Sequence, residues 1–367
     1  MRLSIAIMYH PSRAASAETI AEQCAELAPA LVQDPHPHGP PSPLRTAKRA
    51  WAACPGDATH HLVLQDDVVL AKDFVSHLRT IVRMRPAHGI ALYVNGTSKR
   101  NGHHFRQAAA LGRRWAPVSR YEYTPTLSFL LPAAHARGLA AHLRTIPDEF
   151  RDDDEAVTDF CRDNDIPVVS VVPSLVDHGE LPSVAGNDSH GFRHAIAFAD
   201  DVGVDIDHWA MPDNESARFS GPPHVLQVHD SRCVIRFVQS ASDEPVDTLF
   251  GWYWHDWCEL LGVSAQDVLD TWLAHLGDGP AMVAVTAGLE FWAAGYLLGF
   301  DVSHSDVARP ANVSPTFQRS IESWLAVGLS PEDERRLDTT GRLALVDTCV
   351  AGFRAGCAAR ATFSGTR

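Results

Sequence analysis

The sequence predicts an α/β fold over its first half and a mostly α-helical second half. Up to about Val172, short β-rich apolar runs alternate with amphipathic stretches of helical spacing, the layout of a sheet flanked by helices. From Ser174 to Pro223 the chain becomes rich in Pro, Gly, Asp and His and loses its periodicity, as a seam between domains does. Beyond Asp247 the apolar residues recur at helical spacing. These three observations place an α/β domain at residues 1–195, a linker with a β-hairpin at 196–240 and a helical accessory domain at 241–367.

Each element has a local reason. Leu3 to Met8 is an apolar run read as the first strand, and Ala30 to Gln33, His61 to Gln65, Ile90 to Val94, Thr126 to Leu131 and Val168 to Val172 follow the same logic. Helices are expected at Ala15 to Leu27, Pro43 to Ala53, Lys72 to Arg85, Ala133 to Ile146 and Asp153 to Arg162. Asp34 to Pro43 is a Pro-rich rigid loop, and Pro43 suits the first position of a helix. Gly96 to His104 reads as a polar loop with Asn101 and Gly102 at its tip, and His103, His104 and Arg106 beside it are candidates for acceptor or phosphate contacts. Val225 to Val228 and Cys233 to Val238 form a hairpin around Asp230 and Ser231. The helical half is expected at Asp247 to Leu261, Ala265 to Leu276, Pro280 to Leu298, Pro315 to Val327 and Arg342 to Ala359, with Ser330-Pro331-Glu332-Asp333 as a further helix start. Phe250, Trp254 and Trp257 would form one core-facing stripe, with Tyr253 and His255 on other faces, while the cluster of these aromatics with Trp252 is also a candidate for stacking on sugars or bases or for an interface.

The 367 residues hold 31 Lys and Arg against 45 Asp and Glu, a net charge of −14 that argues against bulk nucleic acid or an anionic membrane as partner. Seven scattered cysteines without a CxxC pair read as reduced thiols of a cytoplasmic protein. No signal peptide is visible at the N-terminus. Ala281 to Phe300 has about the length of a membrane span, but Glu290 near its middle and its Ala and Gly content favour a buried helix, with Gly295 and Gly299 admitting a close neighbour. The helical half is a candidate for homo-oligomerisation.

The sharpest motif is His60-His61-Leu62-Val63-Leu64-Gln65-Asp66-Asp67-Val68. Two acids at the end of a buried strand concentrate negative charge at the sheet edge where α/β proteins bind ligands, and a hard divalent cation would neutralise it. Adjacent strand residues point to opposite faces, so the two acids are expected to take separate tasks. The plain alternative is a turn followed by an Asp helix cap. Arg45, Lys48 and Arg49 fall on one face of their helix, which is a diphosphate surface or a solvated one. In Arg151-Asp152-Asp153-Asp154-Glu155, Asp152 and Glu155 read as a capping box, which leaves Asp153 and Asp154 for other work.

Taken together, the strand ending in Tyr9-His10-Pro11-Ser12-Arg13, the cationic helix and the Gln65-Asp66-Asp67 strand end resemble the GT-A type of glycosyltransferase, whose nucleotide-sugar domain is Rossmann-like. Pro173-Ser174-Leu175-Val176-Asp177-His178 with Pro182-Ser183 resembles a segment after the last core strand of some bacterial members. The resemblance covers the first half of the chain. It implies a DxD-like metal motif in which Asp67, with His178, binds Mn²⁺ or Mg²⁺, while Asp66 lies nearer the ribose or sugar. It also implies that Tyr9, Pro11, Ser12, Arg13, Arg45, Lys48 and Gln65 line a site for a nucleotide diphosphate sugar, UDP-sugar being the first expectation. Asp153, or else Asp154, would take the proton of the acceptor hydroxyl in an inverting transfer. A nucleotidyltransferase of similar fold and a non-catalytic scaffold binding a sugar nucleotide or peptide remain open, as do the sugar and the acceptor, whether glycan, peptide or natural product.

Overall fold

The alternation of strands and helices closes into a seven-stranded mixed sheet. A computed structural model of the chain describes residues 1–150, 152–184, 191–211, 224–237, 252–277, 285–303 and 313–363. Two compact units are present, Met1–Asn95 with Arg114–Asp213 and Gly96–Arg113 with Asn214–Arg367.

The first unit opens with β1 (Leu3–Tyr9), α1 (Ala14–Gln23), β2 (Ala30–Gln33), α2 (Pro43–Ala52) and β3 (His60–Gln65). It continues with β4 (Val68–Leu70), α3 (Phe74–Met84) and β5 (Gly89–Ala91); α4 (Arg100–Ala110) belongs to the second unit. After it come β6 (Trp115–Pro117), β7 (Ser128–Pro132), α5 (Ala133–Leu143), α6 (Asp154–Asp163), β8 (Val168–Val171), β9 (Val176–His178) and α7 (Ala199–Val202). The sheet order is β2-β1-β3-β7-β5-β8-β6, with β7 and β6 antiparallel to their neighbours and the other pairings parallel. The carboxyl ends of β1, β2, β3, β5 and β8 therefore meet at one edge.

Strand periodicity explains why both faces are covered. Ile5, Ile7, Leu62 and Leu64 pack with Ile20 of α1 and Phe74, Leu78 and Ile81 of α3. The intervening Ala6, Met8 and Val63 pack with Leu44, Ala47 and Trp51 of α2 and Ala136 and Leu139 of α5. Residues of opposite parity thus feed two cores, each large side chain contributing roughly 1.5–3 kcal/mol on burial. This arrangement is α/β and compatible with a Rossmann-like fold. Helix α2 starts where its sequence says, with Pro43 in the first turn and Ser42 Oγ accepting the Arg45 N–H at 3.3 Å.

The second unit contains the expected hairpin, β10 (His224–His229) and β11 (Arg232–Phe237). Asp230 and Ser231 make its two-residue turn with φ of 50° and 57°, matching the primed turns that follow strand twist. Next are β12 (Trp252–Tyr253), α8 (Trp254–Trp257), α9 (Ala265–Gly277), α10 (Val285–Val302), α11 (Pro315–Gly328), α12 (Pro331–Arg336) and α13 (Thr339–Phe363). Glycines let α10 and α13 touch backbone to backbone: a Cβ at Gly295 would strike the Cys349 carbonyl, and one at Gly356 the Tyr296 carbonyl. Glu290 is buried and accepts the Cys233 N–H at 2.8 Å, which gives the carboxylate of this apolar helix a partner. Among the described residues, no helix is long and apolar enough to cross a membrane. None of the seven cysteines, all within the described residues, forms a disulfide.

Two expectations change. The Gly96–His104 loop is largely helix, because α4 buries His103 and Arg106 in the second unit; Arg106 donates to the Ser320 carbonyl (3.0 Å) and Ser323 Oγ (2.7 Å) and lies over Trp324. Tertiary packing there overrides the turn preference of Asn101-Gly102. The single helix expected over Asp247–Leu261 is broken: Trp252 and Tyr253 pair as a strand with β11, Trp254 is buried, and Phe250 lies outside the described residues. The helix start expected at Pro280 also lies outside them.

Candidate functional site

The chain reverses immediately after β3, so Asp66 and Asp67 occupy the turn between β3 and β4 and not a strand. Strand alternation therefore does not apply, and the two carboxylates converge instead of facing apart. Arg13 Nη1 donates to Asp66 Oδ1 at 2.8 Å and to Asp67 Oδ2 at 2.9 Å, while its Nη2 donates to the Pro182 carbonyl. Asp66 Oδ2 accepts the His10 N–H at 2.7 Å, and the Asp66 carbonyl accepts Ser16 Oγ at 2.6 Å. Burial raises the Asp66 pKa, against the opposing pull of the His10 N–H and Arg13. Burial also acts to lower the Arg13 pKa, but its two acids outweigh this and hold it charged.

His178 reaches the same turn through strand register. Strand β9 pairs antiparallel with β4 so that His178 lies opposite Val68, and the Gly179 N–H donates to the Asp67 carbonyl at 2.6 Å. His178 Nε2 then stands 3.5 Å from Asp67 Oδ2. His178 Nδ1 is 2.6 Å from the Gly179 carbonyl, an oxygen that only accepts, so Nδ1 carries the hydrogen. Asp67 Oδ1 is itself buried with no hydrogen-bond partner.

The neighbouring residue of β9 points the other way and serves the loop. Asp177 accepts the Ala195 N–H (2.6 Å) and pairs with His194 Nδ1 (2.9 Å), whose Nε2 meets Glu180 at 2.6 Å. Burial works against protonation of His194, yet the two carboxylates raise its pKa overall. This clasp holds the segment carrying His178 and Pro182. Its members lie in the aperiodic stretch after Val172, where no sequence signal pairs them.

Asp153 arrives from a third direction. It precedes α6 with φ −101° and ψ −19°, not the extended backbone that an N-cap side chain needs, so its carboxylate turns inward and accepts Thr126 Oγ1 at 3.3 Å. The capping box expected from Asp152 and Glu155 is not formed; Asp154 Oδ1 takes the Glu155 N–H at 2.8 Å. Thr126 precedes Leu127, whose carbonyl accepts the Gln65 N–H at 3.1 Å, which links Asp153 to the strand end bearing the acidic turn. Burial, then the charge of Asp154, pushes Asp153 up to about 7. Burial likewise brings Asp154 to about 6.

The remaining candidates shape the rim. Pro11, Ser12 and Arg13 form a 3-10 turn after β1; His10 Nδ1 accepts the Ser12 N–H (3.2 Å), and Nε2 donates to the Pro37 carbonyl (3.0 Å). Tyr9 donates to Gln33 Oε1 at 3.2 Å, and Gln65 is half-buried at the end of β3. Arg45 is engaged by both Asp34 oxygens at 2.9 Å and by the Pro40 and His36 carbonyls. Lys48 is engaged by Asp148 and the Ile146 carbonyl. These two cations brace the loop after β2 and the segment after α5, while Arg13 alone of the three touches the acidic turn.

The inward carboxylate has a measurable cost. A group whose pKa rises from 3.8 to about 7 on folding stabilises the folded state below 3.8 and loses that stabilisation as pH rises through 7. At about 1.4 kcal/mol per pH unit of separation, the loss is roughly 2–4 kcal/mol by pH 8. Asp153→Asn should therefore be more stable than the parent at pH 8 and nearly equal to it below pH 4. Urea unfolding at both pH values checks this, and equal stability at pH 8 would refute it.

Set against known proteins, the chain matches no protein-family model and no curated protein.

Proposed function

We propose that the first unit is a metal-assisted glycosyltransferase of the GT-A type, moving a sugar from a nucleoside diphosphate sugar to an acceptor hydroxyl. One observation carries this reading. At the carboxyl edge of an α/β sheet, a buried acidic turn faces a histidine across strand register, one carboxylate oxygen lacks a partner, and a buried aspartate, Asp153, is linked to the same edge through Thr126.

The donors present suit a hard divalent cation. Among the described residues no group of three His, Cys, Asp or Glu is set to hold a metal alone. Magnesium and manganese accept fewer protein ligands when water and phosphate oxygens complete the shell. Asp67 Oδ1 and His178 Nε2 would hold the ion, with the Gly179 carbonyl fixing the ring orientation. Bound there, it would supply positive charge to the leaving diphosphate. Arg13 keeps the two carboxylates together and ties them to the loop at Pro182.

Asp153 takes the base role. A carboxylate with affinity for protons near neutrality can accept one from an attacking hydroxyl more readily than an ordinary aspartate. Thr126 orients it by a hydrogen bond. In-line attack with this base gives inversion at the anomeric carbon. Asp154 remains the second choice, its carboxylate being committed to the Glu155 N–H.

A thermal-shift screen against UDP-, GDP-, TDP- and CMP-sugars and nucleoside triphosphates, with and without Mn²⁺, tests the reading. A ligand bound only by the folded state raises the melting temperature by mass action. One nucleoside diphosphate sugar should raise it in an Mn²⁺-dependent manner, by roughly 2–4 °C for each kcal/mol of linkage. Stabilisation by a triphosphate, with pyrophosphate release on turnover, would instead identify a nucleotidyltransferase. No shift with any of them would remove the enzymatic reading.

A further inference from the structure

We infer that Arg13 sets the metal affinity of the acidic turn, holding it low until a diphosphate supplies the oxygens that the protein withholds. The inference rests on the metal-assisted reading above and concerns how that site is regulated.

Three of the four carboxylate oxygens of Asp66 and Asp67 are already committed. Asp66 Oδ1 and Asp67 Oδ2 both accept from one Arg13 nitrogen, and Asp66 Oδ2 accepts the His10 N–H. Asp67 Oδ1 has no hydrogen-bond partner and His178 Nε2 stands 3.5 Å from Asp67 Oδ2, so these two atoms are the donors left at the turn for an ion. Arg13 is as buried as its acids, with side-chain exposures of 7%, 8% and 11%, so solvent screens its charge poorly. Its positive charge cancels one of the two negative charges and repels any cation at the turn. Two donors and one net negative charge make a weak site for an ion that prefers six oxygen-rich ligands. A diphosphate brings both negative charge and oxygens. Metal and donor are then expected to bind with positive coupling, each raising the affinity of the other by the same factor.

Arg13 is thus a positioning residue, and its test reads metal binding, not turnover. Mn²⁺ alone is titrated into the wild-type chain, Arg13→Gln, Arg13→Lys and the double variant Arg13→Gln/Asp67→Ala, with bound ion followed by electron paramagnetic resonance. Circular dichroism confirms that each variant is folded, and Arg13→Lys keeps the comparison open if the glutamine variant does not fold. Arg13→Gln should bind Mn²⁺ at least tenfold more tightly than wild type, Arg13→Lys should stay within about threefold of wild type, and the double variant should lose the gain. If the lysine variant alone folds, it should show wild-type weakness without diphosphate and a gain of at least tenfold in UDP affinity when Mn²⁺ is added.

Wild-type affinity already as tight as that of Arg13→Gln would overturn the role of Arg13 and leave the metal site standing. A gain that survives Asp67→Ala would place the ion elsewhere and also overturn it. An absence of Mn²⁺ binding in every protein, even with UDP present, would instead remove the metal site itself.

Discussion

On the glycosyltransferase reading proposed for the first unit, Asp67→Ala is expected to lower sugar transfer by about 10²–10³-fold while that unit stays folded. The alanine removes the unpartnered oxygen Oδ1 and the carboxylate facing His178, but leaves Arg13 paired with Asp66 at 2.8 Å. The buried cation therefore keeps a counter-charge, and the penalty of an orphaned buried ion does not arise. The loss should fall on metal-dependent donor binding and turnover together, with the urea midpoint shifted little. The decisive comparison is initial rate at saturating Mn²⁺ beside circular dichroism of the same sample. Activity within about threefold of the parent would mean that Asp67 stabilises no charge in the transition state.

Gly356→Val is expected to destabilise the second unit by about 3 kcal/mol or more, at the upper end of overpacking costs. At this position a Cβ would meet the Tyr296 carbonyl oxygen, its carbon at 2.7 Å and the Phe300 nitrogen at 3.0 Å, all of them backbone atoms that no rotamer change can move. The same close approach recurs at Gly295 against Cys349, Gly299 against Phe353 and Gly352 against Trp292, so α10 and α13 would have to part along their whole contact. Ala358→Val, on an exposed part of α13, adds similar bulk and should change stability by less than about 0.5 kcal/mol. Amide exchange of α10 and α13 would report the difference. Equal protection in the two variants would refute the backbone-contact argument.

The parts of this fold legible in the sequence are those that repeat a local pattern. Runs such as Leu3–Tyr9 and His60–Gln65 are long enough to show apolar strands, and Ser42-Pro43 and Ser330-Pro331 carry helix-start chemistry in adjacent residues. Strands β4, β6 and β9 have only three residues each, too few for any period to register. Helix α4 was hidden because Asn101-Gly102 suggests a turn until burial overrides it.

The candidate site divides along the same line. Asp66, Asp67, His178, Arg13 and Asp153 stand out by residue type and local position, so the sequence by itself determined the α/β order, the acidic pair that follows β3 and the small set of candidate groups beside it. The tertiary structure alone decided their relations: Arg13 bound to both acids, His178 opposite Val68, Asp153 turned inward to Thr126, and Arg45 and Lys48 spent on loops. Hydrophobic period and capping chemistry act between near neighbours and can be read along the chain. Strand register and ion pairing join segments far apart in it, and are selected only when the whole sheet and its two cores close together.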